Sequence, residues 1–196
     1  MADAQDVLDF WFGPAAEPDC GQAQPGQARP QWFRKDAAFD AEIRRRFGEL
    51  HRQATAGGLD GWDADPSTLL ALIVVLDQFS RNLFRDAARA FAADAAALAA
   101  AGKMLDRGWD IALLPVQRAF VYLPFEHAED LVAQARSVAL FRQLAAEPGG
   151  DGYLDYALRH QSVIERFGRF PHRNHALGRQ SSAAELAFLA EPGSSF

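Results

Sequence analysis

Apolar positions along this chain recur at helical spacing almost from end to end. Val7, Leu8, Phe10, Trp11 and Phe12 outline a short aromatic helix that Gly13-Pro14 stops. Phe39, Ile43, Phe47 and Leu50 follow at intervals of four, four and three, one face of a helix that ends at Gly57-Gly58. Asp65-Pro66 supplies an N-cap and an N1 proline for a helix through Leu83. Residues 69–76 of that helix are apolar on every side, which predicts a central position covered by neighbours. An Ala-rich stretch predicts a helix from about Asp86 to Leu105. Pro115 opens another, which Pro124 is expected to interrupt. A long helix is then expected from about Phe125 to Ala146, halted by Pro148-Gly149-Gly150. Tyr153, Tyr156, Leu158, Val163, Ile164 and Phe167 mark the next, and Ser182-Ala-Ala-Glu185 reads as the capping box of a final one.

No run of alternating Val, Ile or Thr is bounded by hairpin turns, so no strand is predicted. The pattern predicts an all-α fold of seven to eight helices in antiparallel pairs, an irregular bundle or a short superhelix. No self-similarity is visible at the ~34-residue period of a helical repeat array. At 196 residues the chain suits a single domain, 1–196, with residues 14–30, rich in Pro, Gly and Gln, as a surface loop.

Composition sharpens this. Hydrophobic residues make up 49%, with 15 Phe and 4 Trp, enough large side chains for a full core. A formal net charge of -6 argues against nucleic acid as a partner. The single Cys20 excludes an intrachain disulfide and any cysteine cage for zinc. The acidic start (Asp3, Asp6, Asp9) does not read as a signal peptide, and the apolar run Leu69–Leu76 is too short to span a bilayer. A cytoplasmic protein without a membrane partner is the expectation. Composition sets no oligomeric state.

Three segments put polar groups among apolar ones. In Leu76-Asp-Gln-Phe-Ser-Arg-Asn82, Asp77 and Arg81 share a helix face, as do Gln78 and Asn82. In Leu123-Pro-Phe-Glu-His-Ala-Glu-Asp130, the acids Glu126, Glu129 and Asp130 suit a first helical turn, and His127 lies one turn before Leu131. The third is Arg166-Phe-Gly-Arg-Phe-Pro-His-Arg-Asn174, with His160 two turns upstream. From Arg159 to Arg179 there are five Arg and three His against one acid, Glu165. Gly168 and Pro171 place Arg169, His172, Arg173 and Asn174 on a bend, where short polar groups can converge.

Such a concentration of planar donors either closes a buried polar network or faces an anion. As a network, Arg166, Arg169 and Arg173 would pair with Asp77, Glu129 and Asp130. As a site, Asp77, Arg81, His127, Glu129, His160, Arg169, His172 and Arg173 would line a groove for a small anionic ligand or a peptide carboxylate, with Arg169 and Arg173 as the clamp. The rival is a hydrolase-type enzyme with His127 or His172 as general base, oriented by Glu129 or Asp77. His127 with Glu129, and His172 with His175, offer imidazole and carboxylate groups, but no His-Glu-x-x-His spacing occurs, so neither a metal nor another cofactor is expected. Ser80 and Ser162 lack a nucleophile elbow, and no glycine-rich phosphate loop is present.

Val7-Leu-Asp-Phe-Trp-Phe12, Trp32-Phe33, Leu76–Asn82, His127-Ala-Glu-Asp130, Arg166–Asn174 and Leu177-Gly-Arg179 together resemble the bacterial domain-of-unknown-function family 924, from about Val7 to Leu189. The resemblance implies an all-α, tetratricopeptide-like superhelix and carries no established activity. Ala128 stands where the family typically has Ser, which removes a hydroxyl role there, and the 14–30 loop with Cys20 has no family counterpart.

Overall fold

The computed structural model describes residues 2–13, 29–32, 34–59 and 61–194; Cys20 and most of the expected 14–30 loop lie outside the described residues. Among the described residues the fold is all-α, with no strand. Helix α1, Ala4–Phe12, starts at a capping box in which Asp3 and Asp6 accept each other's backbone N–H, and ends where Gly13 takes a positive φ of 93°. Asp36 caps α2, Ala37–Thr55. Helix α3 is continuous in three pieces: Pro66–Val74, capped by Asp65 with Pro66 at its first position, a π-helical segment Val75–Phe79, and a last turn Ser80–Leu83.

The Ala-rich helix α4 spans Asp94–Asp106. It starts eight residues later than predicted, because Asp86 adopts a positive φ of 61° and Ala88–Ala90 form a 3-10 turn. Helix α5, Pro115–Glu126, contains Pro124 rather than breaking there. The expected helix from Phe125 to Ala146 is therefore two elements. His127 closes α5, and α6, Leu131–Leu144, begins at Asp130, whose Oδ1 accepts the Ala133 N–H at 2.8 Å. Helix α7 is Tyr153–Phe167, ended by Gly168 at φ 68°, and α8 is Ala183–Leu189 behind the predicted Ser182/Glu185 box.

Helix α3 is central, packing on α1, α2, α4 and α5; its residues Leu69, Leu70, Ile73, Val74, Val75 and Phe79 are at most 1% exposed. The all-round apolar stretch thus has the covered position its composition predicts. Aromatic rings from α1, α2, α3 and α5 meet around Trp11, with Phe79 at 5.6 Å and Phe120 at 5.6 Å between centroids. Each such side chain, fully buried, contributes roughly 1.5–3 kcal/mol of transfer free energy. Helices α5, α6 and α7 stack in series, and their short links make neighbours antiparallel. No helix among the described residues is long and apolar enough to cross a membrane.

Candidate functional site

The π-helical segment of α3 carries Asp77. One extra residue in the turn lets Asp77 and Gln78 both enter the interior, at 1% and 7% exposure, where 3.6-residue periodicity would send adjacent side chains apart. Gln78 donates to Asp77 Oδ2 at 2.6 Å, and Asn82 donates to Asp40 at 2.8 Å. Asp77 and Arg81 pair, at 3.1 Å between Nη1 and Oδ1.

From Asp77 the contacts close into a ring of seven side chains. His127 Nδ1 lies 2.8 Å from Asp77 Oδ1. Arg81 bridges Asp77 and Asp94, the latter at 3.0 Å, and Arg173 Nη1 meets the other Asp94 oxygen at 3.1 Å. The Arg173 guanidinium sits 4.6 Å over the ring of Phe170, which is 5.4 Å from the ring of His160. His160 in turn lies 6.3 Å from His127. Phe91 covers one side, 4.6 Å below Arg173 and 5.9 Å from Arg81. Five separated stretches, α3, the start of α4, the α5–α6 link, α7 and the 170–173 turn after it, thus supply one polar cluster.

The electrostatics follow from this crowding. Burial alone would raise the Asp77 carboxyl, but the Arg81 guanidinium and His127 hold it well below the usual carboxylate range. Burial and then Arg81 lower His127, so its imidazole is neutral near pH 7. Burial, and after it repulsion from Arg81, brings Arg173 down to about 10, although Asp94, Glu129 and Asp77 oppose this. Burial and the neighbouring His127 take His160 down to about 3. Its Nδ1 donates to the Tyr156 carbonyl at 2.8 Å and lies 3.2 Å from Glu126. Arg173 Nε is buried and makes no hydrogen bond among the described residues.

The remaining predicted site residues lie beside this ring rather than in it. Glu129 takes both Nη atoms of Arg179, at 2.6 and 2.9 Å, and the Phe170 N–H at 2.7 Å. Arg169 is engaged by Glu185 at 2.6 Å, whereas Arg173 is engaged by Asp94 at 3.1 Å. His172 borders an open cleft of about 530 Å³ with His175, Arg179 and Leu186, and burial followed by Arg173 lowers it to about 4. The expected pairings of Arg166, Arg169 and Arg173 with Asp77, Glu129 and Asp130 are replaced. Arg173 takes Asp94, Arg169 takes Glu185, Arg166 lies over Phe167 and Phe188, and Asp130 is spent as a helix cap. Asp94 and Phe91 were not singled out from the sequence, and Glu126, Phe170 and Arg179 stood there within their segments without a site role. Among the described residues no three His, Cys, Asp or Glu side chains converge to hold a metal ion.

Comparison with curated proteins gave no match. Among solved structures, a protein of unknown function from Agrobacterium tumefaciens is similar at 41% identity and a TM-score of 0.81, over 95% of this chain and 96% of that one. The model of a family described as bacterial protein of unknown function (DUF924) matches residues 7–193. That span takes in α2 to α8, most of α1 and every member of the ring, and the chain belongs to this family.

Proposed function

We propose that this is a cytoplasmic binding domain whose ring of Asp77, Arg81, Asp94, His127, His160 and Arg173 receives a small oxyanion, either a free acid or the terminal carboxylate of a peptide. The observation that carries the reading is Arg173. It is 5% exposed, its Nε lacks a partner among the described residues, and burial with Arg81 pulls its pKa down to about 10. A buried guanidinium in that condition is under-compensated, and an incoming anion would both fill the donor and offset the repulsion. Asp77 and Asp94 do not repel such a ligand strongly, because Arg81 is already bonded to both.

A thermal-shift titration with phosphate and with acetate tests this. The melting temperature should climb with anion concentration as binding to the native state requires, and Arg173→Met should melt cooperatively without responding. A wild-type protein indifferent to both anions, with Arg173→Met merely less stable, would assign the ring a structural role only.

A second reading, a hydrolase-type activity, has one observation in its favour: the 2.8 Å contact of Asp77 with His127, the geometry that orients a general base. His172 is a poorer candidate, since a group lowered to about 4 is too weak a base near neutrality. A rate profile with an imidazole limb, lost in His127→Ala, would mark this activity.

A further inference from the structure

We infer that the oxyanion taken by the ring carries its own O–H donor, as an α-hydroxy carboxylate or a monoprotonated phosphate group does, and that His127 selects for it. The inference rests on the binding role proposed for the ring and names its ligand class. Asp77 is wrapped by Arg81, Gln78 and His127 and is ionised, so toward His127 it can only accept. The Nδ1 of His127 must therefore hold the single ring proton and donate it at 2.8 Å. That leaves Nε2 as a bare lone pair, with no hydrogen bond to it among the described residues.

The ring thus offers a ligand two unlike partners. Arg173 supplies N–H donors, with Nε unspent, while His127 supplies an acceptor. Both belong to the ring, linked in contact through Phe170 and His160. A bare carboxylate spanning the two would satisfy Arg173 and set its second oxygen against the imidazole lone pair, which repels it. A hydroxyl beside the carboxylate donates to that lone pair instead. Sites that recognise a hydroxyl discriminate strongly against analogues lacking it, because their own polar atoms are then left unmatched. Asp77 holds the tautomer and touches no ligand, so it is a positioning residue.

Two matched pairs of probes test the idea by calorimetry: glycolate against acetate, and phosphate against sulfate at pH 6.5, where much of the phosphate keeps a proton and sulfate has none. Glycolate and phosphate should each bind about tenfold more tightly than their partners, the worth of one net hydrogen bond. In His127→Phe, which keeps a ring of similar bulk, the two members of each pair should bind alike. Equal affinities within both pairs for the wild-type protein would overturn the inference and leave the anion site standing. Absence of binding by all four probes would overturn both. Should His127→Phe fail to fold, the wild-type ratios still decide. A preference in only one pair identifies which ligand carries the hydroxyl, acid or phosphate.

Discussion

Glu126 ends α5 at 3% exposure, with Oε1 3.2 Å from His160 Nδ1 and Asp77 close enough to repel it. Burial, then the Asp77 charge, pushes its carboxyl up to about 8, so it is protonated at neutral pH. In the unfolded chain the same group titrates near 4.5. Between those values the folded protein holds a proton that the unfolded chain has released, so stability falls as pH rises through that window. Glu126→Gln keeps the shape and removes the titration. It should melt several degrees above wild type at pH 8, with the gap closing by pH 5. Melting curves read by circular dichroism across that range check it. A gap of constant size at every pH would show a packing effect, and no gap would mean that Glu126 ionises freely in place.

At the scale of elements, the decisive piece is the four-residue link between α5 and α6. His127 goes to Asp77, Glu129 to Arg179 and the Phe170 amide, and Asp130 to the start of α6. What fixes the link is Gln134, wholly buried, whose Nε2 donates to the carbonyls of Glu126 at 2.6 Å and Ala128 at 2.8 Å. Gln134→Leu leaves both carbonyls inside without a donor, at about 1–3 kcal/mol each. Its melting temperature should fall by roughly 5–15 °C. The imidazole signal of His127 in NMR spectra should broaden, since the carbonyls on either side of it lose the donor that ties them to α6. A sharp, unshifted signal would show that Asp77 alone orients the ring.

Much of this link was hidden in the sequence. Helical periodicity runs through residues 115–146 with apolar groups on both sides of the break, and Pro124 drew the boundary to the wrong place. The true stop came from Asp130 capping α6, a signal that read equally well as one more acid in a helical turn. The π-helical segment was hidden for a different reason: an inserted residue shows as a phase change only against polar positions, and residues 69–76 have none. The caps at Asp65 and Ser182 were legible because each precedes its helix with the right side chain and nothing competes for it.

Across the whole molecule, the last third is bound to the middle by contacts that no local pattern encodes. The bend at Gly168–Asn174 was readable, and so was its inward turn, for Arg173 is buried. Which acid it meets depends on where α4 begins, and that is a property of the assembled fold: Asp94 is 79 residues away in sequence. The second tie is Glu129 with Arg179, both side chains about a quarter exposed, reinforced by the Phe170 N–H on the same carboxylate. Burial would raise Glu129, but Arg179 and the Phe170 amide hold it below its usual range. Glu129→Gln should weaken that tie by about 1–3 kcal/mol, and locally, because the core around α3 does not pass through it. Amide exchange gives the direct reading, since the Phe170 N–H bonds to the very carboxylate whose charge is lost. Its exchange should quicken by about tenfold to a hundredfold while the amides of α3 keep their protection. Uniform acceleration along the chain would instead mean that the tail and the core open together, with Glu129 contributing to the fold as a whole rather than to the docking of the segment that delivers Arg173.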